Sequence, residues 1–136
     1  MSELIYPVLS LWQPWASLMA DNRKPIETRH WPAPAWLIGQ EFAIHAAMRI
    51  DANACIYFGY DPLTIPRGCI LSIHKLTKCE KFTERSRDEI GDEYGDFEMG
   101  RYGWFAPLLR KLNPPIAAKG HQGIWKWPAP KPEGKE

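Results

Sequence analysis

Pro14 sets the terms on which this chain can fold. It follows a short apolar run ending at Leu11 and has no amide hydrogen to give, so a strand stops here and a helix can start where that donor would be orphaned anyway. Leu4 to Leu11 therefore reads as the first strand, and a helix follows from Pro14 to about Ala20. Trp15, Leu18 and Met19 fall at i, i+3 and i+4 and share a buried face, while Ser17 and Asp21 look outward. Asn22 ends the helix, because Asn enters the left-handed conformation more readily than any residue except Gly. A second strand runs from Ile26 to Trp31. Its period of two places Glu27 and Arg29 on one face, with Lys24 at the mouth of the turn before them.

With 136 residues the chain is one domain, long enough to bury a core and too short for two ordinary ones. Its 13 prolines and 10 glycines are spread along the chain, which argues for short elements and many turns rather than a helical bundle. No apolar run approaches the roughly eighteen residues a membrane helix needs, and the first residues do not read as a signal peptide, so no membrane partner is expected. Cys55, Cys69 and Cys79 are widely spaced with no C-x-x-C pair, which argues against a structural zinc and for a reducing compartment, the cytoplasm. No cluster of ligands calls for a metal, and no cofactor is expected. The net charge of +1 is unevenly spread. Residues 84–98 carry seven acids against Arg85 and Arg87, so the remainder is moderately basic, compatible with a nucleic-acid partner.

The rest of the chain continues in short pieces. Residues 30–36 form a proline-stiffened loop in which Trp31 or Trp36 either seals the core or stacks on a base. Gln40 to Ala46 reads as a central strand in which His45 points opposite to Ile44, toward solvent or into a cleft. Asp51 caps a helix from Ala52 to about Phe58, ended by Gly59. Gly68 to Leu76 is the clearest strand, with Cys69, Leu71 and Ile73 inward and Ser72 and His74 outward; residues 75–81 continue it or fray. Residues 84–98 read as a mobile loop or short exposed helix. Arg101 to Phe105 is a strand, Ala106 to Asn113 holds one helical turn, residues 120–123 form a turn, and Ile124 to Trp127 make the last strand. A domain over residues 1–127 is thus followed by a flexible proline-rich tail over 128–136. The irregular mixture gives an α+β fold around a small barrel of about five or six strands with two or three short helices.

Several of these segments resemble one family. The string Leu9-Ser10-Leu11-Trp12-Gln13-Pro14-Trp15-Ala16-Ser17-Leu18, then Asn22-Arg23-Lys24 and Glu27-Thr28-Arg29, resembles the signature of the ASCH (activating signal cointegrator homology) domain. That family reads Q-P-W-A followed by G-x-K-x-x-E-x-R, with Asn22 here in place of the glycine. Ile44-His45-Ala46, Pro66 to Leu71, Tyr102-Gly103-Trp104 and Gly120 to Trp125 support the match, which runs from about Pro7 to Trp127. The resemblance implies a PUA-like β-pseudo-barrel and binding of RNA, of another single-stranded nucleic acid, or of a nucleoside. It also implies two enzyme types found among relatives, a ribonuclease and an amidohydrolase acting on acetylated cytidine. The amidohydrolase-like relatives carry a threonine where this chain has Glu27.

The residues themselves allow the same chemistry. Lys24 and Arg29 can meet phosphates, Gln13 offers the donors and acceptor that reading a base edge requires, and Trp12 and Tyr102 supply faces for an unstacked base. With Glu27, His45 and Arg49 these form the candidate binding set, gathered around one cleft beside the barrel. If the protein is an enzyme, Lys24 and Glu27 are its acid and base, working without a metal. In the competing readings Glu27 and Arg29 simply pair on a sheet face, Gln13 satisfies backbone near Pro14, or the acidic segment docks a protein partner.

Overall fold

The computed structural model describes residues 4–83 and 100–130. Among these, eight strands form two sheets. The larger has the order β7-β4-β3-β1-β8, built from β1 (Ile5–Gln13), β3 (Glu41–Ile50), β4 (Cys69–Lys75), β7 (Leu108–Ala117) and β8 (Ile124–Pro128). The smaller is β2-β6-β5, from β2 (Ile26–Arg29), β5 (Lys78–Lys81) and β6 (Tyr102–Phe105). Helices α1 (Trp15–Ala20) and α2 (Ala52–Tyr57) and a 3-10 turn at Ala35–Leu37 complete a small α+β fold, whose two sheets share a core without closing into one barrel.

The opening hinge forms as its residues dictate. β1 ends at Gln13, Pro14 caps α1, and Asn22 adopts φ 59° to turn the chain toward β2. Ser17 is buried rather than outward, because its amide and hydroxyl are both held by the Gln13 side chain. At α2, Asp51 accepts a hydrogen bond from the Ala54 amide at 3.0 Å, satisfying one of the orphan donors of the first turn. β2 stops at Arg29, two residues before Trp31.

The larger sheet is covered on both faces, and this decides the burial of β4. One face carries Leu9, Leu11, Phe42, Ile44, Ala46, Cys69 and Leu71 against Trp104 of the smaller sheet. The other carries Tyr6, Val8, Ala43, Ile70 and Ile73 with Trp127. The pairing of Ile44 with Ser72 and of His45 with Ile70 leaves Leu71 as an extra residue on β4. This bulge shifts the alternation by one, so Ser72 and His74 join Phe42 and Ile44 while Ile73 turns to the other face. His74 is consequently buried, not outward.

Two further expectations are corrected. Residues 106–113 do not make a helical turn; from Leu108 they belong to β7, an edge strand whose Pro114 and Pro115 fall in an irregular stretch between the Ser72–Lys111 and Ile70–Ile116 pairs, where the ladder needs no donor from them. β4 takes in Lys75 and stops there, so residues 76–81 do not extend it. Leu76 is buried at a crossing between sheets, and Lys78–Lys81 pairs with β6 instead. The acidic segment 84–98 and the tail from 131 lie outside the described residues. Pro128 still belongs to β8, and the Ala129 amide donates to the Leu4 carbonyl. No helix among the described residues is long and apolar enough to cross a membrane.

Candidate functional site

A cleft of about 1280 Å³ opens where the ends of β1, β2 and β3 meet the loop between β7 and β8. Ser10 and Trp12 reach it from β1, Arg29 from β2, His45 from β3, and Lys119 and His121 from the loop. Sheet parity explains the grouping: Ser10 and Trp12 are two apart on β1, and Ser10 is the cross-strand partner of His45. Trp12 is 45% exposed, and the Arg49 guanidinium lies 4.1 Å from its ring centroid at the rim, the distance of a cation–π stack.

One buried polar network forms the cleft floor. His45 Nε2 lies 2.7 Å from the Ala118 carbonyl, which can only accept, so Nε2 carries the proton. Nδ1 is then the acceptor, 3.0 Å from Ser10 Oγ, and the serine hydroxyl donates to it. Trp125 Nε1 in turn donates to Ser10 Oγ at 3.1 Å. Burial holds the His45 pKa below its usual value; the Ala118 hydrogen bond opposes the shift and nearby His121 adds to it. Around neutrality the ring is therefore a neutral imidazole in a fixed tautomer. Gly120 lies directly on this pair, since a methyl group there would sit 2.5 Å from His45 Cε1 and 3.1 Å from Ser10 Oγ.

The residues nominated from the sequence divide. Trp12, Arg29 and His45 line the cleft, and Arg49 stands on Trp12. Gln13, Lys24 and Glu27 are not part of it: all three are buried. Gln13 donates to Ser17 Oγ and the Pro66 carbonyl and accepts from the Ser17 amide, so its hydrogen-bonding groups fasten α1 to the sheet. Lys24 and Glu27 form an ion pair beside the Trp15 ring, and Glu27 Oε2 approaches Arg29 Nε to 3.3 Å. Tyr102 pairs in register with Arg29 on the smaller sheet and packs half-buried against the core. Trp31 both borders the cleft and packs edge-on against Trp104 at 4.9 Å, while Trp36 is exposed.

Sequence reasoning passed over Ser10, Lys119 and His121. Ser10 lies two residues before Trp12, so period two alone puts it on the same face. The loop could be read only as a turn, because what it covers is fixed by β7 and β8. Among the described residues no three His, Cys, Asp or Glu side chains cluster closely enough to hold a metal ion.

The ASCH domain model matches residues 9–115, which is most of the chain. This chain belongs to the ASCH family. The matched stretch contains Ser10, Trp12, Arg29 and His45, and it ends before the cleft loop that supplies Ala118 and Gly120 and before Trp125 of β8. Comparison with curated proteins finds no match. Among solved structures, ASCH from Zymomonas mobilis is similar at 18% identity with a TM-score of 0.53, over 82% of this chain and 73% of that one. A tyrosine-to-phenylalanine variant of the Zymomonas mobilis protein is similar at 16% identity with a TM-score of 0.55, over 82% and 75%. At these identities the likeness establishes the shared ASCH fold.

Proposed function

We propose that this ASCH domain binds single-stranded nucleic acid, RNA foremost, in the cleft between Trp12 and Lys119. The observation that carries the reading is the meeting of an exposed aromatic face with cations on an open cavity. Trp12 is flanked by Arg49 at the rim, and Arg29 and Lys119 line the same hollow. Splayed bases stack on such rings while phosphates meet the cations; a duplex groove would call for a long recognition helix, and the helices described here have six residues or fewer. Hydrolysis through Lys24 and Glu27 is less well supported, because both are sealed away from the cleft. Three free thiols fit a cytoplasmic setting.

Anisotropy titrations with labelled single-stranded RNA test the proposal. Trp12→Ala weakens binding by about 1–3 kcal/mol per stacked base with little change in salt dependence. Lys119→Ala lowers the log–log salt slope by roughly 0.7 for one lost phosphate contact. No binding at low salt, or two variants that titrate like the unaltered protein, would remove the cleft as the interface.

A further inference from the structure

We propose that Ser10 and His45 are the nucleophile and general base of an acyl-transfer site on the cleft floor, cleaving a carboxylic ester carried on the ribose of a nucleotide. The nucleotide half of this proposal rests on the binding function assigned to the cleft; the Ser10–His45 half stands on geometry alone.

Three features of the pair match what a hydroxyl nucleophile needs. The Ser10 hydroxyl donates to a ring nitrogen 3.0 Å away. The opposite ring nitrogen is held at 2.7 Å by a carbonyl that fixes tautomer and ring orientation, the role of the third member of a triad. Ser10 also lines the cleft and is only partly buried, while the base behind it is buried. With Oγ–H given to His45 and one lone pair occupied by the Trp125 donor, the second lone pair is left for attack. Positive charge for a developing oxyanion is at hand, because an Arg29 guanidinium nitrogen donates to the Ser10 carbonyl at 3.3 Å.

The step balances as follows. Ser10 Oγ adds to the ester carbonyl carbon as its proton passes to His45 Nδ1. The tetrahedral adduct collapses by breaking the bond to the ribose oxygen, which leaves with the proton from Nδ1. Water, deprotonated by the same nitrogen, then releases the acyl group from Ser10 as a carboxylic acid and restores the hydroxyl. The ester, rather than an amide, is assigned because its carbonyl is the more electrophilic and an alkoxide the better leaving group, which suits a Ser–His pair whose third member is a neutral carbonyl.

A small fluorophosphonate probe tests the pair without any nucleotide. Intact-mass and peptide analysis of the unaltered protein should find one adduct, on Ser10. His45→Gln can keep a donor toward Ala118 and an acceptor toward Ser10 while removing the base, and should slow labelling by at least about 100-fold with an unchanged melting profile. Release of acetate from 2′(3′)-O-acetyl-adenosine monophosphate should exceed that from p-nitrophenyl acetate at equal concentration. Absence of a Ser10 adduct on the folded, unaltered protein overturns the nucleophile, even if the RNA titrations succeed. Labelling that His45→Gln leaves unchanged overturns the base. Labelling with no preference for the nucleotide ester overturns the substrate class and, together with failed RNA titrations, points to a different cleft ligand.

Discussion

Glu27→Leu should destabilise the domain by about 3–5 kcal/mol, the cost of leaving a buried charge without its partner. Lys24 is only 3% exposed, and its ammonium is held between Glu27 Oε1 and the Trp15 ring, whose centroid is 5.6 Å away. Removing the carboxylate leaves that cation beside a π-face in a space with little water. The reverse single change, Lys24→Met, should cost less, because Glu27 keeps Arg29 at 3.3 Å. That second contact is coulombic, since Arg29 Nε makes no aligned hydrogen bond, and Arg29 is 25% exposed on its side chain and can hydrate if the acid is lost. The double variant Lys24→Met/Glu27→Leu should regain most of the loss, as apolar replacements of buried ion pairs commonly do. Urea unfolding followed by tryptophan fluorescence measures all three. A Glu27→Leu variant within about 1 kcal/mol of the parent would show that the pair is hydrated and its burial unimportant.

The same triad marks how far the chain could be read before its fold was known. Proximity was legible: three residues of spacing and a strand period of two brought Lys24, Glu27 and Arg29 together. Depth was not, because Glu27 shares its face of the smaller sheet with its cross-strand partner Trp104, 77 positions away, and that ring packs into the core formed with the larger sheet. The strand–Pro14–helix–Asn22 hinge and the Asp51 cap were readable because each depends on the conformational preference of one residue and its near neighbours. β7 was obscured by Pro114 and Pro115, which a strand tolerates only at an edge, and edge position is a property of the whole sheet. On β4 the alternation itself was visible, but a one-residue bulge at Leu71 reversed it, and the bulge is defined by the partner strand. The cleft floor followed the same rule. Ser10 and His45 come from strands 35 residues apart in sequence, and the group that fixes their proton positions, the Ala118 carbonyl, comes from a loop a further 73 away.

The reversed face of β4 has a consequence that pH should expose. His74 is 1% exposed, with Nδ1 at 2.9 Å from the Ala106 carbonyl, Nε2 at 2.7 Å from Ser72 Oγ, and its ring beside Phe42. The carbonyl takes the Nδ1 proton and the serine hydroxyl donates to Nε2, so the neutral ring is fully satisfied and a second proton would have to displace the serine's. Burial pushes its pKa down to about 4 from 6.5, outweighing the Ala106 hydrogen bond that favours the charged form. Because the folded value lies below the unfolded one, the unfolded chain takes up the proton first. Stability is therefore complete above about pH 6.5, falls as pH drops toward 4, and loses nothing more from this residue below that. Integrated over the shift the loss is roughly 3 kcal/mol, and His45, displaced in the same direction, adds to it. Between about pH 7.5 and about pH 4.5 the unaltered protein should lose roughly 2 to 3 kcal/mol more stability than His74→Gln, which has no proton to gain. Urea unfolding of both proteins at the two pH values gives the difference directly. Equal losses would mean that the imidazole titrates in the folded state as it does in water, and hence that the bulge does not carry it into the core.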